Sequence, residues 1–160
     1  MRTLYSFIIL SSFLFSQLRI SIDSNGILNN MDMSSGVSIS YDKSLVKQEN
    51  IKLGIGLEYM FPRDSKDGAI NDLESYLTYL FMRYVYEKKW SSYLKVGYNS
   101  FKGDQNYSEA RGLAWSFGTD YKINKLWHIE IGYHILSTDN ENYSRIVGSV
   151  ARHFKKKDEE

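Results

Sequence analysis

From Ile51 to Phe61 the chain alternates without a break. Ile51, Leu53, Ile55, Leu57, Tyr59 and Phe61 are large and apolar, and Lys52, Gly54, Gly56, Glu58 and Met60 stand between them. A repeat of two places successive side chains on opposite faces of a strand, one greasy and one wet, and is out of phase with any helix. The alternation returns in Leu94, Val96 and Tyr98 against Lys95, Gly97 and Asn99. It returns again in Trp127, Ile129, Ile131, Tyr133 and Ile135 against His128, Glu130, Gly132 and His134. An apolar-Gly-apolar triplet recurs in the three segments, centred on Gly56, Gly97 and Gly132, at spacings of 41 and 35 residues. A hairpin of two membrane-length strands of ~10 residues, with one short and one longer connection, has that length. The spacing predicts a meander in which every second strand repeats. The intervening strands fall at Val37–Tyr41, Tyr76–Tyr86, Leu113–Tyr121 and Tyr143–Phe154, and Leu18–Asp23 opens the series. Both faces of the 76–86 segment are apolar, so its facing stays open.

The first residues, MRTLYSFIILSSFLFSQ, place one charge at Arg2, an apolar run from Tyr5 to Phe15, and small Ser16 before Gln17. The run is short for a spanning helix, which needs ~20 residues, and its order of basic, apolar and small segments is that of a secretory signal. A buried N-terminal strand or helix is the competing reading. The expected organisation is a signal peptide at 1–16, one β-domain at 17–154 and a charged tail at 155–160. No other run is long and apolar enough for a helical span, so a membrane-bound mature chain must cross as a closed barrel, in which backbone groups pair between strands.

Charge and composition narrow the function classes. Lys plus Arg (20) nearly equals Asp plus Glu (19), which gives no field favouring nucleic acid. Cysteine is absent, which removes disulfides, thiolate metal sites and thiol nucleophiles. Thirteen tyrosines and a single proline, Pro62, suit long uninterrupted strands. The connections also fall into two classes. Turns at 42–50, 87–91 and 122–126 are mostly shorter than loops at 24–36, 62–75, 101–111 and 137–143, the asymmetry expected of short periplasmic turns and longer outer loops. Tyr41, Tyr86, Trp90, Tyr121 and Trp127 fall near the inner turns. Tyr59, Phe61, Tyr76, Tyr98, Trp115, Tyr133 and Tyr143 fall towards the outer loops. Rings at these positions suit two headgroup-level girdles, the alternative being the core of a soluble sandwich.

With strands, loops and aromatics so arranged, the chain resembles the small outer-membrane β-barrel superfamily that includes the OmpA transmembrane domain and OmpX. The ending Ile146-Val147-Gly148-Ser149-Val150-Ala151-Arg152-His153-Phe154 resembles the terminal strand and final aromatic of that family. The resemblance implies an all-β fold: an eight-stranded antiparallel up-and-down transmembrane β-barrel, preceded by a cleavable signal peptide. It also implies the outer membrane of a Gram-negative-type bacterium as the address. The implied partners are outer-membrane lipid, periplasmic chaperones and barrel-insertion machinery during assembly, and an extracellular ligand of the loops. Arg152 interrupts the apolar face. Near the inner interface it can snorkel, whereas at the midplane it would cost ~2–4 kcal/mol.

The wet face holds the candidate site. Lys52, Glu58, Arg83, Lys95, Asn99, Asp120, His128, Glu130 and His134, with Arg145, are expected to face a lumen that eight strands leave only wide enough for side chains. Their charges can nearly cancel, as burial demands. A structural polar plug and a gated conduction path are both compatible with such a network. HExxH, GxSxG, Walker and EF-hand patterns are absent. His128 and His134 share a face ~20 Å apart, too far to hold one metal. No catalytic, cofactor or metal residue is therefore expected. Three classes of function follow: a structural or surface-interaction barrel, a soluble lipocalin-like carrier of a small ligand, and a lipid A-modifying enzyme. The enzyme would draw on His134, Ser137 and Asp139 at the outer rim.

Overall fold

The computed structural model describes residues 16–24, 26–103, 109–138 and 142–154. The segment read as a signal peptide (apart from Ser16), the charged tail and Asp139 lie outside them. Ten strands are present: β1 Ser16–Asp23, β2 Ile27–Leu28, β3 Met31–Asp32, β4 Gly36–Gln48, β5 Ile51–Arg63, β6 Leu73–Val85, β7 Trp90–Lys102, β8 Ala110–Lys122, β9 Trp127–Thr138 and β10 Asn142–His153. Eight of them, β1 and β4 to β10, pair antiparallel with their chain neighbours, and β1 closes on β10 from Gln17↔His153 to Ile22↔Gly148. The chain is thus an eight-stranded up-and-down barrel. Closure removes the sheet edges that would otherwise expose unpaired backbone groups. Strands of 13 residues rise ~44 Å, and a ~40° tilt leaves about 34 Å, enough to cross an apolar band ~25 Å tall with both ends in water.

The period-two pattern sets the facing. On β5, Leu53, Ile55 and Leu57 point outward and Gly54, Gly56 and Glu58 point inward; on β6, Tyr76, Leu80 and Met82 point outward and Leu77, Tyr79, Phe81 and Arg83 point inward. The glycine of the recurring triplet has a packing cause. Gly56 pairs with Tyr79, and a Cβ there would overlap the tyrosine ring; at Gly132 it would overlap the Tyr93 hydroxyl. Glycine at these inward positions makes room for aromatic side chains from other strands inside a narrow lumen.

The structure departs from the expectations at four points. β4 does not stop at Tyr41 but runs to Gln48, and the first inner turn shrinks to Glu49–Asn50. Tyr41 therefore pairs with Leu18 and Leu57 partway up the wall and does not stand in the inner girdle. Tyr143 is no girdle residue either. It shares the inward parity of Arg145 and Val147, and is fully buried against Phe101 at 5.6 Å between ring centroids. The first outer loop is not plain loop, since β2 and β3 form a small hairpin that extends the sheet beyond β10.

The other aromatics named above stand on the outer face. Trp90 and Tyr121 pair across β7 and β8 with centroids 4.8 Å apart at the inner end, near Tyr86 and Trp127. Tyr59, Phe61 and Tyr76 cluster towards the outer end, with centroid separations of 5.0 Å (Tyr59–Phe61) and 4.9 Å (Tyr59–Tyr76). Tyr98, Trp115 and Tyr133 face outward on β7, β8 and β9. Arg152 lies outside the barrel at the inner end, its guanidinium 5.7 Å from the Trp127 ring centroid and 5.8 Å from that of Phe154.

Candidate functional site

Inward positions of all eight long strands converge on a lumen with three tiers. In the middle tier Arg19 of β1 holds Asp42 of β4 at 2.6 Å and Glu130 of β9 at 2.7 Å. Arg83 of β6 reaches the same Glu130 at 2.8 Å, and Gln17 Nε2 donates to it at 3.2 Å. The Tyr79 hydroxyl donates to Asp42 at 2.5 Å, and the Lys95 ammonium lies 4.8 Å and 5.1 Å from the ring centroids of Tyr79 and Tyr93. Towards the outer end Arg145 bridges Glu58 and Asp23, the latter at 3.1 Å, and Arg63 takes the other oxygen of Asp23 at 2.5 Å. His134 Nδ1 stands 3.9 Å from Glu58. Towards the inner end Asp120 accepts from Ser91 at 2.8 Å, contacts His128 Nδ1 at 3.0 Å and lies 3.6 Å from Arg83.

Among the described residues, five cations (Arg19, Arg63, Arg83, Lys95, Arg145) and five carboxylates (Asp23, Asp42, Glu58, Asp120, Glu130) are buried in this way. An unpaired charge in a narrow low-dielectric tube would cost several kcal/mol, and one-to-one balance avoids it. Of the residues singled out in the sequence, Glu58, Arg83, Lys95, Asp120, His128, Glu130 and His134 fall within these tiers. Asn99 is fully buried but makes no side-chain hydrogen bond among the described residues. Lys52 sits half-buried at the inner mouth. The sequence reading left out Arg19, Asp23, Asp42, Arg63, Tyr79 and Tyr93, although their alternation with outward apolar residues marks most of them.

Above the charged tiers the outer mouth is closed by apolar side chains. Leu28 and Met33 of the first loop and Ile70 of the second pack on Met60, Leu73, Leu77, Phe101, Leu136 and Tyr143. The two loops are joined by Ser34 N–H to Asp64 O at 2.9 Å, Lys66 N–H to Asp32 O at 2.8 Å and the Met33↔Ser65 bridge. In the second loop Asp67 accepts from the Ser65 hydroxyl at 2.6 Å and from Ala69 N–H at 3.1 Å, which holds its carboxyl below the ordinary aspartate range. Of the residues of the enzyme reading, His134 points into the lumen and Ser137 is on the opposite face of β9, so these two do not converge. A carrier with an apolar interior does not form, because the charged face is inside and the apolar face outside.

Residues 14–154 match the family described as outer membrane protein beta-barrel domain. No curated protein matches the chain by sequence. Among solved structures the chain is similar to Ail, the attachment invasion locus protein of Yersinia pestis, at TM-score 0.60 and 14% identity over 86% of this chain and 97% of that one. It is similar to Neisserial surface protein A at TM-score 0.59 and 12% identity, over 87% and 96%. The N-terminal β-barrel domain of Pseudomonas aeruginosa OprF aligns at TM-score 0.52 and 14% identity, over 88% and 98%.

Proposed function

The chain belongs to the outer membrane protein β-barrel domain family and is a small barrel of the Gram-negative-type outer membrane, and from that premise we propose that it is a sealed, lipid-anchored scaffold that acts through its outer loops. The observation that carries this reading is the double closure of the lumen, an apolar cap over a charge-balanced network. A tube filled in this way offers no continuous wet path, and His134 and Ser137 lie on opposite faces of β9. The task is then structural or one of surface interaction, and not enzymatic. The part offered to an extracellular ligand is the loop pair 24–35 and 64–72, bound together and carrying both signs of charge in exposed Asp32, Lys66 and Asp67. Export through residues 1–16 as a cleavable signal, handling by periplasmic chaperones and barrel-insertion machinery, and a solvated tail at 155–160 belong to the same reading, as do the absence of a cofactor and of any role for nucleic acid.

Fractionation of cells expressing the chain, with gels of unheated and boiled samples, tests the anchor, and planar-bilayer recording tests the seal. A heat-modifiable band in the outer membrane and no stepwise current are expected. A steady open conductance, or lipid A altered by expression of the chain, would overturn the reading.

A further inference from the structure

The inner mouth is built differently from the outer one. Below Arg83, Asp120 and His128 the lumen opens into a cavity of about 190 Å³, bounded by the inner turns and by Trp90 and Phe154. Seven cationic side chains line it against two carboxylates, Glu87 and Asp120, and Asp120 is already engaged by Arg83, Ser91 and His128. The balance that governs the rest of the lumen is abandoned here.

The cations are also placed against their own interest. Lys47 stands opposite Lys52 across β4 and β5, and Lys52 stands opposite Arg83 across β5 and β6. Like charges directly opposite one another destabilise a sheet. Lys88 and Lys125 come from the turns at 86–89 and 123–126, and Lys122 from the end of β8. Among the described residues Lys52, Lys88, Lys122 and Lys125 form no ion pair. At the floor of the cavity, Arg83 is 3% exposed, and its Nε has no hydrogen-bond partner among the described residues. A concave cup of one sign with low-dielectric walls concentrates counter-ions, and multivalent ones most strongly. Ammonium groups reaching in from several strands suit the separate oxygens of a phosphate, which each can approach as a point charge. A cavity of about 190 Å³ is of a size to take a phosphate or two.

We propose that the inner mouth binds a multivalent phosphate anion from the periplasmic side, either a free phosphoester or the headgroup of an inner-leaflet phospholipid. The test is calorimetric titration with sodium pyrophosphate of the chain recovered from outer membranes and held in a zwitterionic detergent. One saturable site is expected, weakened by added salt and at least tenfold weaker in Lys52→Gln/Lys122→Gln, while Lys102→Gln, exposed at the outer end of β7, leaves it unchanged. No binding, or equal binding by the double variant, would overturn the proposal. If that variant loses its heat-modifiable band, Lys125→Gln on the exposed turn replaces it, with about a threefold loss expected and an unchanged affinity again overturning the site. Repeating the titration in nanodiscs separates the two sources: phosphatidylglycerol competing with pyrophosphate assigns the headgroup, and equal affinity in phosphatidylglycerol and phosphatidylcholine assigns the free anion.

Discussion

Arg19 and Glu130, 111 positions apart in the chain, meet in the middle of the lumen, with the guanidinium Nη2 donating to Oε1 at 2.9 Å and Nε 2.7 Å from Oε2. The same guanidinium holds Asp42, so one side chain ties β1 to β4 on one side and to β9 across the lumen. Removing it leaves two buried carboxylates with fewer compensating charges. Arg19→Met is expected to lower the unfolding free energy by about 3–5 kcal/mol, read by urea titration in lipid vesicles with tryptophan fluorescence. Adding Glu130→Gln should recover part of the loss, since the two sites share one network and their effects do not add. A loss below about 1 kcal/mol in the single variant would show that the pair is not a principal tie.

The barrel was legible because its wall obeys a single rule, alternation, wherever the ladder is regular. It was lost where the ladder is not. Asp42 escaped because a register shift between Ser44 and Val46 brings Leu45 and Val46 together and hides the lower half of β4. Arg63 escaped because Pro62 reads as loop, whereas an irregularity between Met60 and Arg63 turns the arginine into the lumen. Tyr143 has the ring chemistry of a girdle residue but shares the inward parity of Arg145, and parity decides its facing. The cap residues Leu28, Met33 and Ile70 carry no periodic signal, because they fold in from loops.

Depth in the membrane should decide the cost of an outward charge. Leu80 is 66% exposed and pairs with Ile55 and Val96, well away from either end of the wall. Leu80→Arg is expected to cost about 2–4 kcal/mol, and Trp127→Arg, beside the Arg152 already tolerated at the inner end, at most about 1 kcal/mol beyond the lost ring. Equal costs at the two positions in vesicle refolding would place the apolar band elsewhere.

The second outer loop should respond to acid through Asp67. Its carboxyl is held below the ordinary range by the Ser65 hydroxyl and the Ala69 N–H, so the order it confers is present at pH values above the free-aspartate range and is lost as pH falls through the depressed value. NMR titration of the Asp67 carboxyl should give a lower midpoint than in Ser65→Ala. An identical midpoint in the two proteins would sink this account of the turn.

The cap and the wall should come apart under mutation. Leu28 is fully buried, but it lies on β2, whose pairing with β10 at Tyr143 and Ser144 is outside the ladder by which β1 and β10 close the barrel. Leu28→Asp puts a carboxylate into an apolar cluster, where it must either draw water in or leave, and a two-residue strand cannot hold it. The loop is expected to release, with protease cleavage at 24–35 rising at least tenfold while the heat-modifiable band persists. Ionic current should still be absent, because Arg63 and Arg145 bridge Asp23 and Glu58 directly beneath the cap. Current through Leu28→Asp would mean that the cap alone seals the lumen, and loss of the band would mean that the loop helps close the wall.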